Sequence, residues 1–381
     1  MSYKLQKFNL VLFGVLFLLT SSGCKEDEEP GLTEPPPPKA QTPVDSLVVL
    51  GYPFWSKDGT EIIGTRNSPY WDGSKIVRVP AGSNRVELIY EDSLEKRILT
   101  LSSDGKKIVY LAAPVGRVWC CSHVWVIDID GTHAKDLTPE GGNWEHMRWS
   151  PDSRFVVFSG TVLDSGEFHE QIVIADVGTG KWRLLTRGRF NNYDPTYLAD
   201  GSKIVYESTR IQTTYGGKVF LMDPDGSDPV PVDISGTASE DPLPSPTRNE
   251  VLFHWGMGNE DDRGSFVIDI DSVHLPMDPM RYRMIHRENF CNAARWSPDG
   301  NSLLFLAATM QSDADLYIMD RNGGNIIRVT HNLEISLYGR AWSPDSRKII
   351  FLAYKAPTEE LNNYIYDLDK NTLTKLILYT K

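Results

Sequence analysis

His146, Asp194 and Asp241 are the residues of this chain best placed to do chemistry together. They stand 48 and 47 residues apart (194 − 146 and 241 − 194), with Glu145 and Glu240 beside two of them. An imidazole among several carboxylates fits three chemistries. Hard oxygen ligands with one nitrogen would hold a divalent cation. The same acidic group would receive a basic peptide. The third reading is structural: Asp194-Pro195 and Asp241-Pro242 would bond the backbone where a strand begins. Enzyme signatures are missing around them. There is no Gly-x-Ser-x-Gly nucleophile elbow and no Gly-x-x-x-x-Gly-Lys-Ser/Thr phosphate loop. The eight histidines are scattered, and His169-Glu170 lacks the second His four residues after the first that a zinc helix needs.

The spacing of the three residues is the spacing of the whole chain. Arg148-Trp149-Ser150-Pro151-Asp152, Arg295-Trp296-Ser297-Pro298-Asp299-Gly300 and Ala341-Trp342-Ser343-Pro344-Asp345 are near-complete copies of one motif. Weaker copies centre on Asp58, Asp104 and Asp200, and a degenerate one on Thr247. The seven copies follow at steps of 46, 48, 48, 47, 52 and 46 residues. A fixed period in this range marks a repeat architecture. Ser-Pro-Asp-Gly suits a tight turn, because Pro presets φ and Gly accepts the closing position. A run rich in Ile, Val, Phe and Tyr follows each turn, then a second run ending in Asp, as in Ile172–Asp176, then a short last strand such as Trp182–Thr186. Four antiparallel strands in each of seven units, with no long helical pattern, predict an all-β, seven-bladed β-propeller over residues 46–381.

The Trp-Ser-Pro-Asp-Gly turn, its β-run and the strand ending in Asp resemble the WD-like repeat of TolB-type propellers. They are similar also to the propellers of the dipeptidyl-peptidase family and of oligogalacturonate lyases. The lyase resemblance implies a metal held by clustered His and a Gln; no His-His motif is present here, although propeller ligands come from separate blades. Fold does not fix function. The reading favoured is a binding module rather than an enzyme, with no cofactor expected unless a divalent cation sits in the site. A metal-assisted polysaccharide lyase or hydrolase is the alternative.

The repeat also says which residues share a face. Inner strands begin on the face opposite the Ser-Pro-Asp-Gly turns. The channel mouth there should be rimmed by Tyr52, Glu145, His146, Tyr193, Asp194, Glu240, Asp241, Asn292, Tyr338 and Arg340. Tyr52, His146, Asp194 and Asp241 hold equivalent places in their blades and should project alike. The same face carries the long loops Arg66–Ser74, Ala113–Ser122, Gly160–Glu170, Thr209–Gly217, Trp255–Gly264, Ala308–Asp313 and Tyr354–Asn363. Their aromatics include Trp71, Trp119, Phe168, Tyr215 and Trp255, which would stack on sugars or anchor a protein partner unless each tucks under its own loop.

The formal net charge of −12 argues against a nucleic-acid partner, which requires a basic surface. Of the four cysteines, Cys120, Cys121 and Cys291 read as small buried side chains, with a disulfide across the ring a long reach. Cys24 is different. Lys4 and Lys7 precede the apolar stretch Leu10–Leu19, and Ser21-Ser22-Gly23-Cys24 follows, with Ser21 where Leu is usual. This resembles a bacterial lipoprotein signal peptide over residues 1–23. Residues 24–45 then read as a lipidated Cys, the acidic run Lys25–Glu29 and a semi-rigid linker carrying Pro35–Pro38. An acidic run in this place resembles the surface-export signal of Bacteroidetes-type lipoproteins; a solvated spacer is the competing reading. The expectation is a monomeric outer-membrane lipoprotein, held to the membrane by its lipid, with a protein or glycan as ligand. Cys24→Ala should leave an uncleaved precursor or move the protein out of the membrane fraction. Unchanged, lipid-labelled product from the variant would sink the reading.

Overall fold

A computed structural model describes residues 47–379 apart from 68–73, 115–120, 165, 212–216, 233–238, 256–263, 273–281, 287–291, 308–314, 332 and 356–359. Seven four-stranded antiparallel sheets follow one another along the chain. They span residues 51–90, 94–136, 144–184, 192–231, 239–286, 292–328 and 333–376, here blades 1 to 7. Within every blade the strands pair in sequence order.

Each turn shows why the motif repeats Ser and Asp. The Ser150 hydroxyl donates to Asp152 at 2.5 Å and accepts the amide of Phe155 at 2.9 Å, which starts the second strand. Ser56, Ser102, Ser297 and Ser343 do the same for Asp58, Asp104, Asp299 and Asp345. The Asp58 carboxyl is drawn down to about 2, first by the Ser56 hydroxyl and then by the Thr60 amide and hydroxyl. The tryptophan before each full turn is a staple between blades. Trp149, Trp296 and Trp342 are each 8 % exposed. Their indole N–H groups donate to the preceding blade's inner strand, at Thr100 O (3.2 Å), Leu243 O (3.1 Å) and Arg295 O (3.3 Å).

The apolar side chains fall into seven clusters, and each straddles one boundary between neighbouring blades. Strand alternation divides them. Val156 and Phe158 pack toward blade 2, while Val157 between them packs toward blade 4. The boundary between blades 7 and 1 closes the ring and differs from the sequence reading. Val48–Tyr52 and Leu373–Tyr379 read as an ordinary first and an ordinary fourth strand. Instead the first strand is Gly51–Trp55 and the fourth is Thr372–Leu376. Leu47–Val48 leaves to pair with Leu378–Tyr379. Tyr379 also exchanges backbone bonds with blade 1, to Asn84 O (2.9 Å) and from the Val86 amide (3.0 Å). The Asn363 amide clips both backbone groups of Leu50, at 2.7 and 2.9 Å. Buried Val48, Leu50 and Leu378 join the apolar cluster of this boundary, so the two ends are drawn together by burial.

The staple is testable. Trp149→Ala should lower unfolding free energy by about 3–5 kcal/mol in chemical denaturation. Trp149→Phe keeps most of the apolar area but orphans the Thr100 carbonyl, and should cost about 1–3 kcal/mol. Near-neutral values for both would show that the indole carries no load.

Candidate functional site at the channel mouth

The inner strands carry a feature the motif does not announce. In six of the seven, the register with the second strand shifts at the same place, as between Glu145 and Arg148 or between Tyr193 and Thr196, and in blade 7 a wider irregularity from Ile335 to Arg340 covers it. The bulged residue lies six before the turn Asp, or before Thr247 in blade 5. Tyr52, Ile98, His146, Asp194, Asp241 and Gly339 all hold it with positive φ, from 48° to 94°. Asp and His enter this left-handed region several times more readily than most residues; a β-branched Ile there is an outlier. The bulge aims its side chain, which is how equivalent places in successive blades come to point into one mouth.

There the groups meet. His146 Nε2 lies 3.2 Å from Asp194 Oδ1 of the next blade. His146 Nδ1 stands 3.2 Å from the Ser159 hydroxyl, which donates to Glu170 Oε1 at 3.0 Å. Among the described residues, Glu145, His146 and Glu170 hold ligand atoms within 4.8 Å of one another. Burial raises the Glu170 carboxyl to about 7 against the Ser159 hydroxyl, and Glu145 and Asp194 push the same way. In blade 5, Asp241 and His254 form a second acid–imidazole couple, with His254 Nδ1 3.0 Å from the Ser265 hydroxyl. Desolvation raises Asp241 and lowers His254, favouring the neutral form of each. Asp241 still opens to solvent, so it faces channel water while protein surrounds it. It is raised further by Asp194 and lowered by His146 and Arg295, which places these groups within electrostatic reach of one another.

Tyr52, Glu145 and His146 line a cavity of ≈ 640 Å³ with Arg97, Arg148, Arg295 and Arg340. Tyr193 is half-buried near Glu170, its hydroxyl raised by burial first and by that carboxylate second. Arg340 is not an exposed rim residue. It is 8 % exposed, one residue past the bulge, with Nη1 donating to Ser336 O at 3.1 Å. Trp71, Trp119 and Tyr215 lie outside the described residues, as do the side chains of Glu240, Trp255, Asn292 and Tyr338. So do residues 1–46, with Cys24, and Cys120 and Cys291; Cys121 is half-buried. Phe168 sits on no irregular loop. Residues 155–164 and 167–176 pair continuously as a long hairpin. Phe168 and its cross-strand partner Leu163 stand exposed near the tip, at 57 % and 63 %.

Four participants escaped the sequence reading: Glu170, His254, Arg148 and Arg295. Glu170 comes from the third strand of blade 3 and His254 from the second strand of blade 5, and only strand register brings them in. The arginines were in view, each immediately before a motif tryptophan.

No protein-family model matches the chain, and no curated protein does. Solved structures do. TolB from Acinetobacter baumannii aligns with TM-score 0.50 and 13% identity, over 84% of this chain and 64% of that one. A prolyl endopeptidase aligns with TM-score 0.67 and 13% identity, over 87% and 50%. An oligogalacturonate lyase in complex with manganese aligns with TM-score 0.61 and 12% identity, over 84% and 89%. The chain thus spans under two thirds of that TolB and half of the endopeptidase. At these identities the likeness is one of fold.

Glu170 gives the mouth a signature in pH. Its folded value of about 7 lies above its ordinary 4.5, so the folded state binds the proton more tightly. That contribution is complete below pH 4.5 and is lost as pH rises through 7. In chelator-treated buffer it should account for a fall of up to about 3 kcal/mol across this window. Glu170→Gln should flatten the fall and be the more stable protein at pH 8. Parallel pH–stability curves for the two proteins would contradict this.

Proposed function

We propose that this chain is a cell-envelope lipoprotein, attached through Cys24, whose propeller is a binding module for a protein or glycan. The observation that carries the reading is the convergence of His146, Asp194 and Asp241 from three consecutive blades on one channel mouth, aimed there by the same bulge. Binding sites are concave, with a few polar groups brought together by a rigid scaffold, and this mouth has that form. The signal-like N-terminus and the acidic, proline-rich segment after it support attachment and a spacer. The likeness to TolB supports an envelope setting at the level of fold. The loop aromatics Trp71, Trp119, Phe168, Tyr215 and Trp255 would widen the contact surface around the mouth.

A second reading has its own observation. Glu145, His146 and Glu170 offer one nitrogen and two carboxylates close enough for one ion. Such a mixed oxygen and nitrogen set suits manganese better than calcium, which takes oxygen ligands alone. The lyase similar in fold was solved with manganese. On this reading Glu145, His146 and Glu170 would hold the ion, and the ion would polarise a substrate carboxylate.

One experiment separates them. The Asp194→Asn/Asp241→Asn double variant should keep the wild-type circular dichroism and lose capture of the protein or glycan selected by array. Manganese or calcium should raise the wild-type Tm only if an ion belongs to the site; 100-fold excess over Kd adds about 2.7 kcal/mol. A metal-induced shift that Glu170→Gln abolishes, with β-elimination products from acidic polysaccharide, would favour the enzyme. Unchanged capture by the double variant would remove the mouth from the binding reading.

A further inference from the structure

Arg148 and Arg295 occupy the same place in blades 3 and 6, four residues before the turn Asp. The other blades put Phe54, Thr100, Thr196, Leu243 and Ala341 there. A position that accepts Phe, Thr, Leu and Ala does not need a guanidinium to fold. The two arginines therefore call for another explanation.

Both adopt one pose. Arg148 Nη1 donates to the carbonyl of Met147 at 2.9 Å, and Arg295 Nη1 to that of Ala294 at 2.8 Å. This anchors one arm of each fork and uses one of its five N–H donors. Both line the channel cavity, and Arg295 is exposed. Among the described residues, neither lies within ion-pair distance of a carboxylate. Arg340 from blade 7 lines the same cavity. The charges also feel one another. Arg295 is pulled down to about 10, by desolvation first and then by Arg148, against the opposing pull of Asp241 and Asp194. Arg340 is pulled down to about 9 by desolvation and then by Arg295.

We propose that the channel holds an oxyanion site, in which Arg148 and Arg295, with Arg340 beside them, bind a carboxylate or phosphate group of the ligand. Planar forks present paired N–H donors to either group, which is the geometry of bidentate recognition. The anionic group would sit within the channel and the rest of the ligand at the mouth, between the carboxylates and imidazoles of blades 3 to 5. The assignment rests on the channel being the working cavity, but it is independent of the partner's identity and of any metal.

The probes are inorganic phosphate and acetate, each titrated against the full-length protein at pH 7, with chloride at matched ionic strength as control. Thermal shift and calorimetry are the readouts. A saturable rise in Tm with phosphate alone would assign a phosphate-bearing ligand; with acetate alone, a carboxylate-bearing one; with both, a general oxyanion site. In Arg148→Gln/Arg295→Gln the affinity should fall at least about tenfold, the loss of one charge-assisted bond. The variant should fold, because sibling blades hold neutral residues at this place; if it does not, Arg295→Gln alone serves, since Arg295 faces water. If neither anion exceeds chloride, or the variants bind both as tightly as wild type, the site does not exist. That outcome would leave the mouth reading standing, since capture by the Asp194→Asn/Asp241→Asn variant is read with the macromolecular ligand and without added anion.

Discussion

Packing of blade against blade is the constraint on which the rest depends. A four-stranded sheet of this size cannot leave either face in water, since its strands are apolar on both sides: Val156, Val157 and Phe158 are all fully buried. Each sheet must therefore be sandwiched between two others, and the last must meet the first. Seven boundary clusters satisfy that demand, and the boundary between blades 7 and 1 has to be made by residues from the two ends of the described chain. A repeat unit has no intrinsic means of closing a ring. The closure here is built from short terminal strands and two apolar residues, Leu50 and Leu378, that lie outside the seven sheets, together with buried Asn363 on the third strand of blade 7.

Ring packing creates the channel, and the channel creates the site. Seven inner strands converging on one axis crowd their side chains. A bulge relieves the register and turns one residue per blade toward the axis. Its left-handed conformation costs on the order of 1–3 kcal/mol for a residue such as Ile98, so the ring over-determines it. The fold thus supplies a circle of aimed positions at little dependence on which side chain fills them: Tyr52, Ile98, His146, Asp194, Asp241 and Gly339 all do. Chemistry can change at these places while the boundary clusters stay as they are, which is consistent with propellers of 12–13% identity sharing this architecture.

Much of the fold was legible because the turn motif is local. Ser, Asp and the residues after them interact within about one turn, and their spacing survives in the sequence. The equivalence of His146, Asp194 and Asp241 followed from counting back from the turn. The bulge did not, because Ile98 and Tyr52 hold that place and neither type suggests positive φ. Glu170 stayed hidden because its partner Ser159 lies across a strand pair, and the long hairpin of blade 3 looked like a loop. The closure was illegible for a different reason. Leu47–Val48 and Leu378–Tyr379 are two-residue strands, too short to carry any periodicity.

The order of charges along the channel follows from backbone more than from mutual attraction. Asp194 and Arg148 attract each other, and simple pairing would satisfy both charges. They do not pair directly, because each is committed elsewhere. The bulge turns Asp194 toward His146 across the blade boundary, while Arg148 is folded onto the carbonyl of Met147. A direct pair deep in the channel would also gain little, since the desolvation of two ions offsets most of their attraction. A rigid ring can therefore hold carboxylates and guanidiniums in one cavity without letting them collapse on each other. Such separation is stable only while water or a ligand solvates both sets, and a dry, self-satisfied channel would have favoured the neutral residues that blades 1, 2, 4, 5 and 7 place there.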